Sequence, residues 1–425
     1  MRPARPPAKT CNKRPILLLI AVSAFSLPGV IAATASSFTS GDLVVVRVGD
    51  GSAALSSAAT PVFLEEYTPT GSPVQTIALP TAAVGASKPL TIAGSTVSEG
   101  FLKLSTDGQH LTLAGYAATP GTASVAGTAA ASVNRVVAAV NVHGVIDTTT
   151  ALTDAYGGSD VRSVASTDGT NFWLGGTSSG TSGGTRYATL GTTFSTQISS
   201  TPANVRVGGI FGNQLYESSG SSGFTGVSTV GAGVPTTAGT TVTILPGLSI
   251  SSPEDFWFKD SSTLYVADDN AVGSGGGIEK WTFNGLVWAL QYILTNAPCR
   301  GLTGIVDRNG NAMLYATTAN VASGNTLITV TDTGSSATAA TILATASVNT
   351  AFRGVAFAPG IPRLSVANTG NSVIISWPSP STGWTLQTND NLVTGTWGNY
   401  PGPVINNSVT NASPAGNIFF RLKQP

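Results

Sequence analysis

Four arginines precede short aliphatic runs in the same way: Arg162 in VRSVA, Arg206 in VRVGG, Arg300 in CRGLTG and Arg353 in FRGVAF. A guanidinium is planar, permanently charged and donates in pairs. A repeated arginine therefore suits two jobs, a fork-like receptor for carboxylates and acidic sugars, or pairing with acidic and carbonyl groups of a neighbouring repeat. A fifth run, SPEDFWF, carries Glu254 and Asp255 where the arginine would stand, and Asp268, Asp269 and Asn270 follow the next strand. If the strands form a meander, the four acidic residues gather on the arginine face as the chain's dense carboxylate cluster, with Asn270 adding an oxygen. Such an oxygen-rich set could hold Ca²⁺ or supply an acid pair for hydrolysis. Ion pairing with the arginines, or plain solvation, needs no ligand at all. The spacing of a helix–loop–helix calcium loop is absent.

Other chemistry is sparsely provided for. The chain has two histidines, His110 and His143, both read as hairpin-end residues, so no Ser-His-Asp triad or zinc set can be assembled. Cys11 falls in the N-terminal segment discussed below, and Cys299 reads as a small buried residue at a strand start. The runs GSGGG and GGTSSGTSGG lack the strand-to-helix context of a phosphate loop. Trp377, Trp384 and Trp397 crowd the last part of the chain, where a sugar-stacking platform competes with core packing; Trp397 is the one expected to be exposed.

The elements that must position these residues are short strands. Runs of Val, Ile, Thr, Leu and Phe alternate with glycine-containing turns, long helical periodicity is missing, and only 9% of residues are charged. Arg162 and Arg206 lie 44 residues apart, Arg206 and Arg300 lie 94 apart, and Arg300 and Arg353 lie 53 apart. The doubled middle interval is filled by SPEDFWFKDSSTLYVADD. Upstream, SEGFLKLSTDGQHLTLAGY adds a copy whose Asp107-Gly108 matches Asp168-Gly169 and places Phe101 in the arginine position. A second register agrees: a turn glycine precedes an aliphatic residue by eight positions at Gly71 and Leu79, Gly144 and Leu152, Gly285 and Ile293, and Gly334 and Ile342. Each unit is then a four-strand meander of roughly fifty residues, the size of a propeller blade.

The first unit, GDLVVVRVG through PVQTIALP, lacks its first strand, and the last run, AFRGVAFAP, lacks partners after it. Pairing the two closes a ring and removes its exposed edge. The fold expected is all-β: a six-bladed β-propeller over 36–360, closed by its terminal strands, followed by a small antiparallel β-sandwich over 361–425. Within each unit the long loops return to the face where the arginines lie, which marks that face for binding.

The N-terminal MRPARPPAKTCNKR, the apolar ILLLIAVSAF and small residues at Ala33 and Ala35 read as a secretory signal peptide over 1–35. It holds five of the 20 basic residues and none of the 20 acidic ones, so the mature chain is acidic by five charges. That balance excludes nucleic acid as the expected partner, and no second apolar run is long enough to span a bilayer. The tail, with LSVANTGNSVIISWP, GWTLQ, a further Trp and a closing FFRLK, resembles a terminal module of exported bacterial proteins. The opening LVVVRVGDGSAALSSAATPVFLEEYTPTG is similar to the first blade of exported propellers of environmental bacteria. SEG (98–100) and DSSTLYVADD (260–269) resemble the metal-dependent lactonase propellers. The leading expectation is an exported, non-catalytic propeller binding a glycan or a surface protein on its long-loop face. A metal-dependent lactonase-like or glycan-cleaving enzyme, with Ca²⁺ at the blade-five carboxylates, and a structural surface protein are the alternatives.

Overall fold

The computed structural model describes residues 1, 36–178, 180–295, 297–319, 324–334, 340–370, 372–377, 384–393, 395–405, 407–412 and 416–423. The expected signal peptide lies outside these residues except for Met1. Among them no α-helix occurs, and no helix is long and apolar enough to cross a membrane.

The strands run in order as β1 (Leu43–Val48), β2 (Ala59–Tyr67), β3 (Pro73–Ala78), β4 (Thr91–Ala93), β5 (Lys103–Leu104), β6 (His110–Tyr116), β7 (Arg135–Asn141) and β8 (Ile146–Leu152). There follow β9 (Val161–Ser166), β10 (Asn171–Gly176), β11 (Thr185–Thr189), β12 (Thr196–Ser199), β13 (Val205–Phe211), β14 (Gln214–Ser219), β15 (Gly226–Val230) and β16 (Val242–Ile244). The series continues as β17 (Pro253–Asp260), β18 (Thr263–Asp268), β19 (Gly277–Phe283), β20 (Trp288–Ile293), β21 (Cys299–Val306), β22 (Ala312–Thr318), β23 (Thr326–Asp332), β24 (Thr341–Thr345) and β25 (Ala351–Phe357). Strands β9–β12, β13–β16, β17–β20 and β21–β24 each make a four-stranded antiparallel meander. The other nine belong to one sheet in which β25-β1-β2-β3 and β5-β6-β7-β8 are two further meanders bridged by β4.

The run without partners in sequence pairs with the opening strand. Leu43 lies opposite Phe357, Val44 opposite Ala356 and Val48 opposite Ala351, antiparallel. The innermost strands β25, β5, β9, β13, β17 and β21 pack side by side in that order, and β21 packs against β25 again. The opening strand is apolar on both faces. On β1, Leu43 and Val45 enter a cluster with Tyr315, Phe352 and Phe357, whereas Val44, Val46 and Val48 enter one with Leu102, Leu111 and Val136. The two-residue period thus serves two cores from one strand.

The hairpin turns joining first and second strands follow their sequence signals. Gly108 and Gly169 both adopt φ +75, and the Asp168 carboxylate accepts from the backbone N–H of Thr170 and Asn171. Beyond 360, β26 (Ser365–Asn368), β27 (Ser372–Ser376) and β30 (Ser408–Ala412) form one antiparallel sheet, and β28 (Thr385–Asn389), β29 (Gly398–Asn399) and β31 (Phe419–Lys423) another. They share a core of Ile375, Trp377, Leu386 and Val409.

Candidate functional site

The arginine repeat marks a backbone irregularity. In β9, β13, β17, β21 and β25 the pairing register shifts at Arg162, at Arg206-Val207, at Glu254-Asp255, at Arg300-Gly301 and at Arg353-Gly354. Each of these five inner strands therefore carries a β-bulge, which re-aims the side chain at that point. The bulges link neighbouring sheets through their backbones. Ser218 Oγ donates to the Glu254 carbonyl, Thr317 Oγ1 to the Arg353 carbonyl, and the Gly354 N–H donates to the Gly100 carbonyl at 2.9 Å. The approach requires glycine at Gly354, where an added Cβ would stand 2.1 Å from the Leu102 nitrogen.

At the long-loop end the arginines are occupied. Arg162 donates to Asn204 Oδ1 and pairs with Asp160 at 3.3 Å; Arg206 pairs with Glu254; Arg300 pairs with Asp269 at 2.8 Å; Arg353 donates to the Gly94 carbonyl at 2.9 Å. Burial, reinforced by Arg206, lowers the Arg162 pKa, and burial beside Arg300 lowers that of Arg353 to about 10. The Nε atoms of Arg162, Arg206 and Arg353 are buried without a hydrogen-bond partner.

The five residues expected as a metal set do not converge. Glu254 faces Arg206, Asp269 faces Arg300, and Asp268 accepts from the Ser252 and Asn270 N–H groups. Asp255 turns to the centre, where it accepts from Lys103 Nζ and from the N–H of Phe256 and of Leu302. Asn270 contributes its N–H to Asp268 and no side-chain oxygen to the group. Among the described residues no three His, Cys, Asp or Glu side chains are placed to hold a metal ion. The reason is the bulge: consecutive Glu254 and Asp255 are sent to different partners. Glu99, in the SEG segment, is also committed, accepting from the Tyr116 hydroxyl at 2.6 Å and the Ala93 N–H at 2.8 Å, and burial pushes its pKa to about 8.

The space between the inner strands is plugged and then opens. Phe101, expected in the arginine position, is displaced by one residue. It is 2% exposed and joins an apolar cluster with Val207 and Phe256 of distant sheets. Beside it Lys103 spans 152 residues of sequence to reach Asp255. Above this floor lies a cavity of 750 Å³, walled by Lys103, Ala165, Gly209, Trp257, Thr303 and Ala356, one from each inner strand. It is lined further out by Phe211, Lys259 and Ile305, and at its rim by Gly108, Gly212 and Asn213 of the hairpin turns. The cavity therefore faces the short-turn end, opposite the arginines and the long loops.

The tail reaches this rim. Asn407 lines the cavity, Trp384 Nε1 donates to the Asp107 carbonyl at 3.2 Å, and the Gly360 N–H donates to the Gly108 carbonyl at 2.9 Å. Trp377 is core, while Trp397, expected exposed, is half-buried beneath the Arg421 guanidinium at 4.4 Å.

No protein-family model matches the chain, and no curated protein matches it. Solved structures similar in chain course include a Bacteroides uniformis protein assigned provisionally as a 6-phosphogluconolactonase, 12% identical, with TM-score 0.41, covering 89% of this chain and 100% of that one. The extracellular domain of a B. thetaiotaomicron protein assigned provisionally to the one-component systems is 14% identical, with TM-score 0.31, covering 71% of this chain and 33% of that one. Prolyl oligopeptidase B from Galerina marginata is 12% identical, with TM-score 0.29, covering 76% of this chain and 44% of that one.

The remaining candidates resolve locally. Cys299 is fully buried, and burial pushes its thiol up to about 12, which removes it as a nucleophile. His143 lies in a turn and meets Ser37 Oγ at 3.1 Å. His110, expected at a solvated hairpin end, is instead packed under the next turn, where a Cβ on Gly169 would lie 2.4 Å from its ring. Lys103 and Trp257, which wall the cavity, were not recognised in the sequence; the one available signal was the place of Trp257 three residues after Glu254, which stands at the repeated arginine position.

Proposed function

We propose that the protein is an exported, non-catalytic six-bladed β-propeller that holds a small ligand in its central cavity. The observation that carries this reading is the walled 750 Å³ space at the centre of six inner strands, within the size range of small-molecule sites. Cyclic packing of the inner strands and the β25–β1 pairing support the six-bladed ring. Export rests on the signal-like N-terminal sequence. The non-catalytic reading is supported by the lining, which includes no carboxylate, imidazole or thiol among the described residues. The buried glutamates with raised pKa, Glu99, Glu217, Glu254 and Glu279, all lie outside it. We locate binding at the short-turn end, because the arginines of the long-loop end are occupied by Asp160, Glu254, Asp269 and backbone carbonyls.

The test is a thermal-shift screen of mature protein against a small-metabolite panel, repeated with Thr303→Trp, which fills the cavity from a half-exposed wall position. Ligands should raise the melting temperature of the wild type and not that of the variant. Equal shifts in both proteins would remove the cavity as the site.

A further inference from the structure

Resting on the cavity as the ligand site, we infer that its ligand is a small organic anion combining a carboxylate with a ring. The argument is one of unmatched donors. The ionisable lining residues are Lys103 and Lys259, both cationic. Lys103 gives one proton to Asp255 beneath the floor, lies 5.6 Å from the Phe256 ring centroid and retains two protons, while Lys259, whose charge acts on the adjacent Asp260, makes no hydrogen bond or ion pair among the described residues. Trp257 and Thr303 also line the cavity, and the Trp257 Nε1–H and the Thr303 hydroxyl have no hydrogen-bond partner among the described residues. The uncommitted side-chain groups of these four lining residues are thus donors, and they sit inside a chain whose mature form is acidic overall. A site of this polarity selects acceptors and negative charge.

The ring follows from Trp257. Its indole lies against Gly304, where an added Cβ would come within 2.8 Å of the six-membered ring, and is backed by Tyr265 at 5.8 Å between centroids. Held in this way, a half-buried indole is a rigid platform for a planar or pyranose face. Phe211 adds apolar wall above it. An acidic sugar and an aromatic acid share this chemistry.

Titration calorimetry of the mature protein with glucuronate, benzoate, glucose and acetate separates the sources. Glucuronate or benzoate should bind, and whichever binds identifies the ring type. Glucose, lacking the charge, and acetate, lacking the ring, should each be weaker by roughly tenfold, the value of one charge-assisted hydrogen bond or one stacked ring. Lys259→Met should reduce binding of the anion by a similar factor and leave glucose unaffected, and Trp257→Leu should reduce both. Glucose binding as well as glucuronate, with no effect of Lys259→Met, overturns the anionic ligand while leaving the cavity as a binding site. Failure of all four to bind at millimolar concentration also overturns it, and the cavity itself is judged separately by the Thr303→Trp screen.

Discussion

Glu254 occupies the place that arginine takes in neighbouring repeats, and its protonation is a contest between burial and Arg206. Burial raises its pKa to about 7, with Arg206 opposing. A carboxyl raised above the 4.5 of an exposed glutamate contributes stability that is complete below that value and is lost as pH rises through about 7. Glu217, pushed to about 8 by burial with one oxygen unpartnered, acts in the same direction. The chain should therefore be more stable near pH 5 than near pH 8.5. Arg206→Gln should cost little at pH 5, about 1 kcal/mol for one hydrogen bond. At pH 8.5, where Glu254 must ionise unpaired or retain a proton, the loss should approach ~3 kcal/mol. Denaturant titrations at the two pH values measure the difference, and an equal loss at both would mean that Arg206 does not control Glu254. The arginine positions were legible as a repeat because each precedes an aliphatic strand. Pairing with acidic groups, Asp160 and Glu254 among them, was legible as well; that Arg162 also meets Asn204 was not, since that contact exists only after the strands are stacked. Lys103 was hidden for the same reason: its partner Asp255 lies across the ring.

Among the elements, the strand Ala351–Phe357 has the clearest consequence, because β1 pairs with it along one edge. All seven of its residues are buried, and Phe352, Val355 and Phe357 share a core with Tyr315 and Leu327 of another sheet. A chain ending after Asn349 should expose the edge of β1 and precipitate or fail to melt cooperatively, whereas one ending after Gly360 should remain folded. Circular dichroism melting of the two truncations gives the comparison, and a soluble, cooperative protein lacking 350–360 would rule out closure by this strand. This strand was readable because an aliphatic run with no partner after it and a meander lacking its first strand are complementary. The bulges were not readable, since an extra residue changes pairing without changing strand composition. That one-residue offset is also why Phe101 was aligned with the arginines, when it plugs the centre beside Val207. The tail was legible as two small sheets, yet its Trp384 bond to Asp107 joins it to a hairpin turn 277 residues away.

For the molecule as a whole, the two ends of the ring are chemically unlike. One end carries three guanidinium–carboxylate pairs and an Arg353 bound to a backbone carbonyl; the other is an open cavity with two lysines, an indole and a hydroxyl. Loop length favoured the long-loop end, whereas our proposal places the ligand at the other end, where short, recessed hairpins and small wall residues such as Ala165, Gly209 and Ala356 make the cavity. Trp257 is one of seven tryptophans and the one that walls this cavity, so it reports on occupancy directly. The decisive measurement is ¹⁹F NMR of protein carrying 5-fluorotryptophan, with the Trp257 resonance assigned from Trp257→Phe, during titration with glucuronate and benzoate. Binding in the cavity should shift or broaden the Trp257 signal saturably while Trp281, Trp288 and Trp377, all packed in cores, stay in place. Saturable binding that leaves Trp257 unmoved and shifts only Trp384 or Trp397 of the tail would contradict it.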